Sequence, residues 1–191
     1  QELVNKQLIL AGHDISAGGL ITTLLEMCFA NTEGGLEISL NKMKEDDLVK
    51  ILFAENPGVV IQVKDKHKEE VKKILEDAGV GYIKLGTPTE ERHILVTKGE
   101  ATYQFGIDYL RDVWYSTSYL LDRKQSMNGC AQKRFENYKM QPLELVFNKD
   151  FTGKLSQYGL NPDRRTPSGI KAAIIREKGT NGEREMAYML Y

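Results

Sequence analysis

Three long stretches of the chain repeat apolar residues at the spacing of an amphipathic helix. They are residues 19–30, 66–78 and 108–125, and a glycine follows the second one, at the position where helices commonly end. Apolar residues at i, i+3, i+4 and i+7 lie on one helical face. The residues expected to face inward are Ile21, Leu24, Leu25 and Cys28 in the first helix, and Val71, Ile74, Leu75 and Ala78 in the second.

Shorter apolar stretches between these helices predict β-strands. They are rich in β-branched or alternating residues and are bounded by glycines or polar turns, as strands usually are. The predicted strands are residues 8–12 (fully buried), 36–40, 58–63, 82–85, 93–97 and 101–105. A short helix is predicted at residues 46–54. Because helices and strands alternate without a regular βαβ rhythm, we predict a layered α+β domain rather than a doubly wound one.

The periodicity fails between residues 140 and 168. Prolines and glycines punctuate this polar stretch, which is typical of an interdomain linker. Beyond it we predict a strand at residues 171–176 and a helix from about residue 181. Such a pair cannot bury its own apolar face, and the chain opens on Gln1 and finishes on an apolar stretch. We therefore expect a piece of a longer protein.

The charges nearly cancel, with 26 Lys and Arg against 27 Asp and Glu and no block of one sign. This balance gives no electrostatic reason to expect nucleic acid or an anionic membrane as a partner. The apolar runs are far shorter than the roughly 20 residues that span a bilayer. Two cysteines, Cys28 and Cys130, are too few for a disulfide framework and lack metal-ligand spacing. We expect a reducing, cytoplasmic setting.

The segment from His13 to Gly19 is the strongest candidate for chemistry. A strand that enters a helix through two glycines presents backbone N–H groups and the positive end of the helix dipole, which suit a phosphate. Asp14 offers a carboxylate of the kind that Mg²⁺ prefers, and the Ser16 hydroxyl can donate to a phosphate oxygen. A simpler interpretation stays open: Asp14 or Ser16 caps the helix, and Gly18 and Gly19 form a tight turn.

Four stretches, in order along the chain, resemble the phosphoribosylformylglycinamidine synthases. The segment that contains His13 and Asp14 is similar to the His-Asp-x-Ser-x-Gly-Gly-Leu motif of that family. The others resemble its Leu-Phe-x-Glu-x-x-Gly strand entry, its Leu-Arg-x-x-Trp helix, and the first strand and turn of its glutaminase domain. The four stretches are residues 11–27, 52–63, 110–114 and 172–181. Asn56 and Pro57 depart from the family, which commonly has an acidic and an apolar residue there.

The resemblance implies an ATP-dependent ligase of purine (IMP) biosynthesis, which converts formylglycinamide ribonucleotide and glutamine to formylglycinamidine ribonucleotide. ATP activates the amide oxygen as a phosphate ester, and ammonia from a glutaminase displaces the phosphate. Carried over to this chain, Asp14 is a Mg²⁺ ligand, and Ser16, Gly18 and Gly19 bind the nucleotide. The other carboxylates and the phosphate-gripping loop lie upstream. Whether Asp14 serves the catalytic or an auxiliary nucleotide site stays open.

The resemblance also divides the chain. Residues 1–139 are similar to the C-terminal domain of aminoimidazole ribonucleotide synthetase, a layered α/β domain with a mixed sheet. Residues 140–169 are the linker, and residues 170–191 are the truncated start of a class I glutamine amidotransferase domain. The expected partners are small-molecule substrates and the rest of the same polypeptide. We assign no catalytic residue to this chain and expect it to be inactive by itself.

Other interpretations fit parts of the pattern. Relatives in the same ATP-binding superfamily, such as selenophosphate synthetase, carry similar loops but do not continue into a glutaminase. The chain can alternatively be a non-catalytic packing module that binds no nucleotide. Cys130 superficially resembles a glutaminase nucleophile, but no predicted strand precedes it, and we interpret it as a surface thiol. We interpret Trp114 as a core anchor, and Glu26 as solvated or paired with a basic residue.

Overall fold

The computed structural model describes residues 1–140, 144–161, 166, 169, 171–179 and 181–190. The chain divides into two compact units, Gln1–Gln141 and Pro142–Tyr191. The α-helices are α1 (Glu2–Asn5), α2 (Gly19–Phe29), α3 (Leu48–Phe53), α4 (Lys68–Asp77), α5 (Ile107–Gln125), α6 (Cys130–Glu136) and α7 (Glu183–Leu190). The strands are β1 (Ile9–Ile15), β2 (Gly35–Ser39), β3 (Gly58–Val63), β4 (Gly86–Thr89), β5 (His93–Lys98) and β6 (Ala101–Gly106).

Two sheets form in the first unit. Four strands make a mixed sheet in the order β4-β2-β5-β6, in which β2 and β5 run parallel and the other neighbours run antiparallel. The strands β1 and β3 pair antiparallel as a separate two-stranded sheet. Helices packed beside a mixed sheet confirm the predicted layered α+β fold.

The core lies between α2 and the mixed sheet. The face of α2 that the apolar spacing predicted is buried, and it meets the alternate residues of β2 and β5 that point to the same side. The main members are Leu20, Ile21, Leu24, Leu25, Cys28, Ile38, Leu40, Leu52, Ile94, Val96 and Ile107. Full burial of one aliphatic side chain of this size contributes about 1.5–3 kcal/mol. This core therefore fixes α2, and with it the turn that precedes α2.

The strand β1 is longer and more exposed than predicted. It continues through His13 and Asp14 to Ile15, because β3 pairs with it along this whole length. The prediction of a buried strand is wrong: the described core covers only one face of the two-stranded sheet, where Ile15 packs. Leu10 and Val59 are exposed. The predicted loop is thereby shortened to Ser16, Ala17 and Gly18.

The predicted strand at residues 82–85 is also wrong. The strand in this region is β4, which starts at Gly86 because β2 pairs with residues 86–89. The Tyr82 hydroxyl instead donates a hydrogen bond of 2.7 Å to Glu76 in α4. The helix α4 follows the prediction after an initial 3₁₀ turn, Asp65–His67. Its predicted inward residue Ala78 is exposed and lies at the C-cap, one residue beyond the end of the helix.

The C-terminal unit contains the predicted helix but not the predicted strand. Residues 171–177 form no strand, since none of the described residues pairs with them, and the helix expected from residue 181 is α7. The helix α6 was not predicted; it begins at Cys130, which is partly buried rather than a surface thiol. Parts of the predicted linker and glutaminase segment, residues 141–143, 162–165, 167, 168, 170, 180 and 191, lie outside the described residues. The domain assignment stays a prediction.

Candidate functional site

The turn between β1 and α2 needs glycine for two different reasons. Gly18 (φ 82°) and Gly19 (φ 72°) both have left-handed backbone conformations, which residues with a Cβ rarely adopt. A Cβ on Gly19 would also lie 2.7 Å from the carbonyl oxygen of Leu52 and 2.8 Å from the Cα of Phe53. The turn therefore lies directly against the backbone at the end of α3, with no room for a side chain between them.

Asp14 and Ser16, the predicted metal and nucleotide contacts, lie beside the first turns of α2 with their side chains open to solvent. The Asp14 side chain is 71% exposed, and Ser16 is exposed as well. The Thr23 hydroxyl donates a hydrogen bond of 3.1 Å to the Asp14 carbonyl oxygen, which fixes the Asp14 backbone to α2. The strand β1 and the helix α2 thus hold the backbone, and the two polar side chains stay accessible.

Neither Asp14 nor Ser16 caps α2. The N-cap residue is Gly18. Its N–H donates a hydrogen bond of 2.9 Å to a carboxylate oxygen of Glu55. The Gly19 N–H donates a hydrogen bond of 3.0 Å to the carbonyl oxygen of Ser16. The interpretation of Asp14 or Ser16 as a side-chain cap is therefore wrong. The N–H groups of both glycines, which the sequence suggested for phosphate binding, have acceptors within the protein.

A second carboxylate, Glu26, connects the site to α5. One of its oxygens accepts a hydrogen bond of 2.9 Å from the Trp114 indole N–H, and the other lies 3.0 Å from His13 Nε2. His13 Nδ1 in turn lies 2.8 Å from the Asp14 carbonyl oxygen. Glu26 is thus paired with a basic residue, one of the two interpretations left open. The interpretation of Trp114 as a core anchor is wrong: it is 51% exposed, and its ring makes a tilted contact with Phe29, with 5.2 Å between the ring centroids.

Three of the motif stretches therefore contact one another around α2 and the turn before it. Residues 11–27 contain the turn itself, residues 52–63 contribute Glu55, and residues 110–114 contribute Trp114. Reasoning from the sequence missed the contacts of both residues. The available signal was that both stretches carry hydrogen-bonding side chains among apolar neighbours, but that signal does not tell which residues pair.

The described residues do not form a metal site by themselves. Among the residues that the structure describes, no three His, Cys, Asp or Glu side chains converge to hold a metal ion. The Asp14 carboxylate has His13 Nδ1 at 3.4 Å. Magnesium is commonly held by one or two carboxylates together with phosphate oxygens and water. The exposed Asp14 carboxylate has the chemistry of one such ligand.

The N-terminal half of the chain matches a known family. Residues 1–98 match the model of the AIR synthase related protein, C-terminal domain. The chain belongs to this family. None of the helices in the described residues is long and apolar enough to cross a membrane.

Relatives of this AIR synthase related chain extend the likeness beyond that domain. Phosphoribosylformylglycinamidine synthase of Homo sapiens is 35% identical over 196 residues, which cover 98% of this chain and 14% of the human protein. The probable phosphoribosylformylglycinamidine synthase, chloroplastic/mitochondrial, of Arabidopsis thaliana is 32% identical over 196 residues, 100% of this chain and 13% of the relative. The resemblance that the four motifs predicted is confirmed, whereas selenophosphate synthetase and the packing module are not favoured. The chain spans about one-seventh of these relatives.

Solved structures agree on the fold. The structure of T. maritima PurL complexed with ATP aligns with a TM-score of 0.51 and 16% identity. The aligned part covers 57% of this chain and 20% of the PurL chain. The structure of T. maritima PurL complexed with FGAR aligns with a TM-score of 0.50 and 18% identity. The aligned part covers 57% of this chain and 19% of the PurL chain. At such low identity this likeness concerns the fold alone. It confirms the α+β architecture of the aminoimidazole ribonucleotide synthetase type for the AIR synthase related chain.

Proposed function

We propose that this chain is part of a glutamine-dependent carbon–nitrogen ligase of purine biosynthesis, which converts formylglycinamide ribonucleotide to formylglycinamidine ribonucleotide. The observation that carries the proposal is the 35% identity to the human phosphoribosylformylglycinamidine synthase across 98% of this chain. The PurL neighbours support it, because they are complexes with ATP and with FGAR. The proposed partners are small-molecule substrates and the remainder of the same polypeptide. We propose neither nucleic acid nor a membrane as a partner.

Within that enzyme, Asp14 is the proposed ligand of Mg²⁺ and Ser16 the proposed contact of an ATP or ADP phosphate. Both side chains are exposed next to the first turns of α2, while the strand and helix fix their backbone. Gly18 and Gly19 support this site through their conformation. At the catalytic site, a magnesium nucleotide would supply the phosphate that activates the amide oxygen; whether Asp14 serves that site or the auxiliary one stays open. The part of this chain is to bind and orient the nucleotide.

The proposed location of the enzyme is the cytoplasm. Both cysteines of the chain, Cys28 and Cys130, are free thiols, which fits a reducing compartment. Burial raises the pKa of the Cys28 thiol, and a thiol that stays protonated is a poor nucleophile and reacts slowly with oxidants.

The substitution Asp14→Asn in the full-length enzyme tests the site. The amide keeps the shape of the carboxylate but is a poorer ligand for a hard cation, so we expect a clear loss of magnesium-dependent nucleotide retention. The thermal midpoint in EDTA should stay unchanged. Ser16→Ala should lower nucleotide affinity less, since one neutral hydrogen bond contributes about 0.5–1.5 kcal/mol. Bound nucleotide after gel filtration is the measurement.

The matched control is Asp65→Asn, which removes a carboxylate that is 95% exposed in another part of the first unit. It should retain nucleotide as the wild type does. Wild-type retention and wild-type metal dependence in the Asp14→Asn enzyme would contradict the assignment of Asp14 as a metal ligand.

A further inference from the structure

The turn before α2 is attached to α3 by one hydrogen bond between residues that are far apart in the sequence. The Gly18 N–H donates 2.9 Å to Oε1 of Glu55, which follows α3 directly after its C-cap residue Ala54. On the other side of the turn, Gly19 lies against the backbone of Leu52. Two adjacent residues of the turn thus contact two positions near the end of α3, which fixes both the place and the orientation of the turn.

The Glu55 carboxylate occupies the place that an anion would take at the start of this helix. Unpaired N–H groups and the positive end of the dipole make a helix N-terminus attractive to carboxylates as well as to phosphates. A hydrogen bond from an N–H to a charged carboxylate is stronger than one to a neutral acceptor. The Gly18 N–H is therefore used inside the protein and is not free for a ligand.

The Ser16 hydroxyl is the polar group of the turn that remains available. It is exposed, and within the described part of the chain no side-chain or backbone group hydrogen-bonds to it. Its own carbonyl oxygen accepts from Gly19, so its backbone is fixed by the same turn that Glu55 holds. The direction of the Ser16 side chain consequently depends on the contact between Gly18 and Glu55.

We propose that Glu55 is a positioning residue of the nucleotide site: it holds the Gly18 amide, so that the Ser16 hydroxyl, and not that amide, contacts a phosphate. This inference rests on the function proposed above for Asp14 and Ser16. It requires an acceptor at residue 55 and does not require its negative charge. It also predicts no large role in global stability, because Glu55 is exposed and its removal leaves no cavity in the core.

The test compares Glu55→Gln with Glu55→Ala and Glu55→Met in the full-length enzyme, with magnesium and ATP as the probe. The glutamine oxygen can still accept from Gly18, so its dissociation constant should stay within about twofold of wild type. Alanine and methionine provide no acceptor, and both should weaken ATP binding about tenfold, the factor that corresponds to about 1.4 kcal/mol. Thermal midpoints in EDTA should not move. Glu100→Ala, in the exposed turn between β5 and β6, is the control and should bind normally.

Other outcomes would overturn the inference. Tighter ATP binding in all three variants would mean that the carboxylate competes with phosphate. Equal weakening in all three would mean that its charge matters rather than its acceptor. No change would mean that the contact has no role in binding. If the alanine enzyme does not fold, the methionine enzyme, which keeps the side-chain volume, decides. The Asp14→Asn enzyme separates the two proposals. If it retains nucleotide normally, the proposed site is refuted. If it loses nucleotide while the Glu55→Met enzyme binds ATP normally, only the role of Glu55 is refuted.

Discussion

At the scale of single residues, the Asp108 carboxylate accepts hydrogen bonds from three different side chains. It accepts hydrogen bonds from Arg92 at 3.0 Å and from the Tyr138 hydroxyl at 2.5 Å, and it pairs with Lys139. Partial burial by itself would raise the pKa of Asp108, but the hydrogen bonds from Lys139, Tyr138 and Arg92 outweigh it and lower the pKa to about 2. Burial and the bond to Asp108 raise the pKa of Tyr138 to about 12.

The lowered pKa predicts a loss of stability in acid. An unfolded Asp has a pKa of about 3.9. Asp108 therefore stabilises the fold fully above that pH, and the contribution disappears as the pH falls from about 4 to about 2. Its side chain is about one-third exposed, and after allowance for screening by solvent we expect about 1 kcal/mol. Asp108→Asn should lower the free energy of unfolding at pH 7 by that amount and change it little at pH 2.

Urea unfolding of wild type and variant at both pH values checks this. The control is Asp65→Asn, whose carboxylate is almost fully exposed and should have little effect at either pH. If the free energy of unfolding of the wild type exceeds that of Asp108→Asn by the same amount at pH 2 and at pH 7, the lowered pKa of Asp108 is contradicted.

At the scale of elements, α5 connects the candidate site to α6. Trp114 extends from α5 to hold Glu26 in α2. Arg111, three residues earlier and so on a neighbouring part of the same helical surface, contacts α6: its Nη1 donates 2.8 Å to the Phe135 carbonyl oxygen. Its guanidinium lies 3.9 Å from the centroid of the Tyr138 ring and 5.4 Å from that of Phe135. The Leu-Arg-x-x-Trp spacing thus places two connecting residues on one helix.

Arg111→Lys should be costly although it keeps the charge. The guanidinium is nearly buried and combines hydrogen bonding with stacking on aromatic rings, which an ammonium group does not reproduce. We expect the free energy of unfolding to fall by about 1–3 kcal/mol, the cost of leaving a buried polar partner unsatisfied. Arg123→Lys is the matched control on the same helix, since Arg123 is exposed and its guanidinium lies farther from its ring, 5.6 Å from the Tyr119 centroid. Thermal denaturation of both variants is the measurement, and equal midpoints would contradict the role of Arg111.

At the scale of the whole molecule, the chain corresponds to about one-seventh of the relatives that it matches. It covers 14% of its human relative, and its described residues hold no complete metal site. We therefore predict that the 191-residue chain alone neither hydrolyses glutamine nor forms formylglycinamidine ribonucleotide. Ammonia release from glutamine and ADP formation are the two assays, with the full-length enzyme as the positive control. Turnover of either kind above a buffer blank would show that the chain contains a catalytic centre of its own.

The sequence by itself determined the elements whose apolar pattern repeats over a long stretch or is strongly β-branched. The helices α2 and α5 and the strand β3 lie within a residue of their predicted ends, because burial of one helical face or of a β-branched run depends on local spacing. The layered α+β class followed from the order of these elements. The sequence also singled out Asp14 and Ser16 through a motif, and the roles proposed for them rest on that motif.

Only the tertiary structure decided where strands without a strong pattern begin and end. The strand β1 reaches Ile15 because β3 pairs with it, and β4 starts at Gly86 because β2 does. The same holds for the candidate site. That Glu55 contacts Gly18, and that Trp114 contacts Glu26, depends on how three helices pack, and these partners are separated by 37 and 88 residues. Such contacts depend on packing over the whole first unit, and the local spacing of residues along the sequence does not predict them.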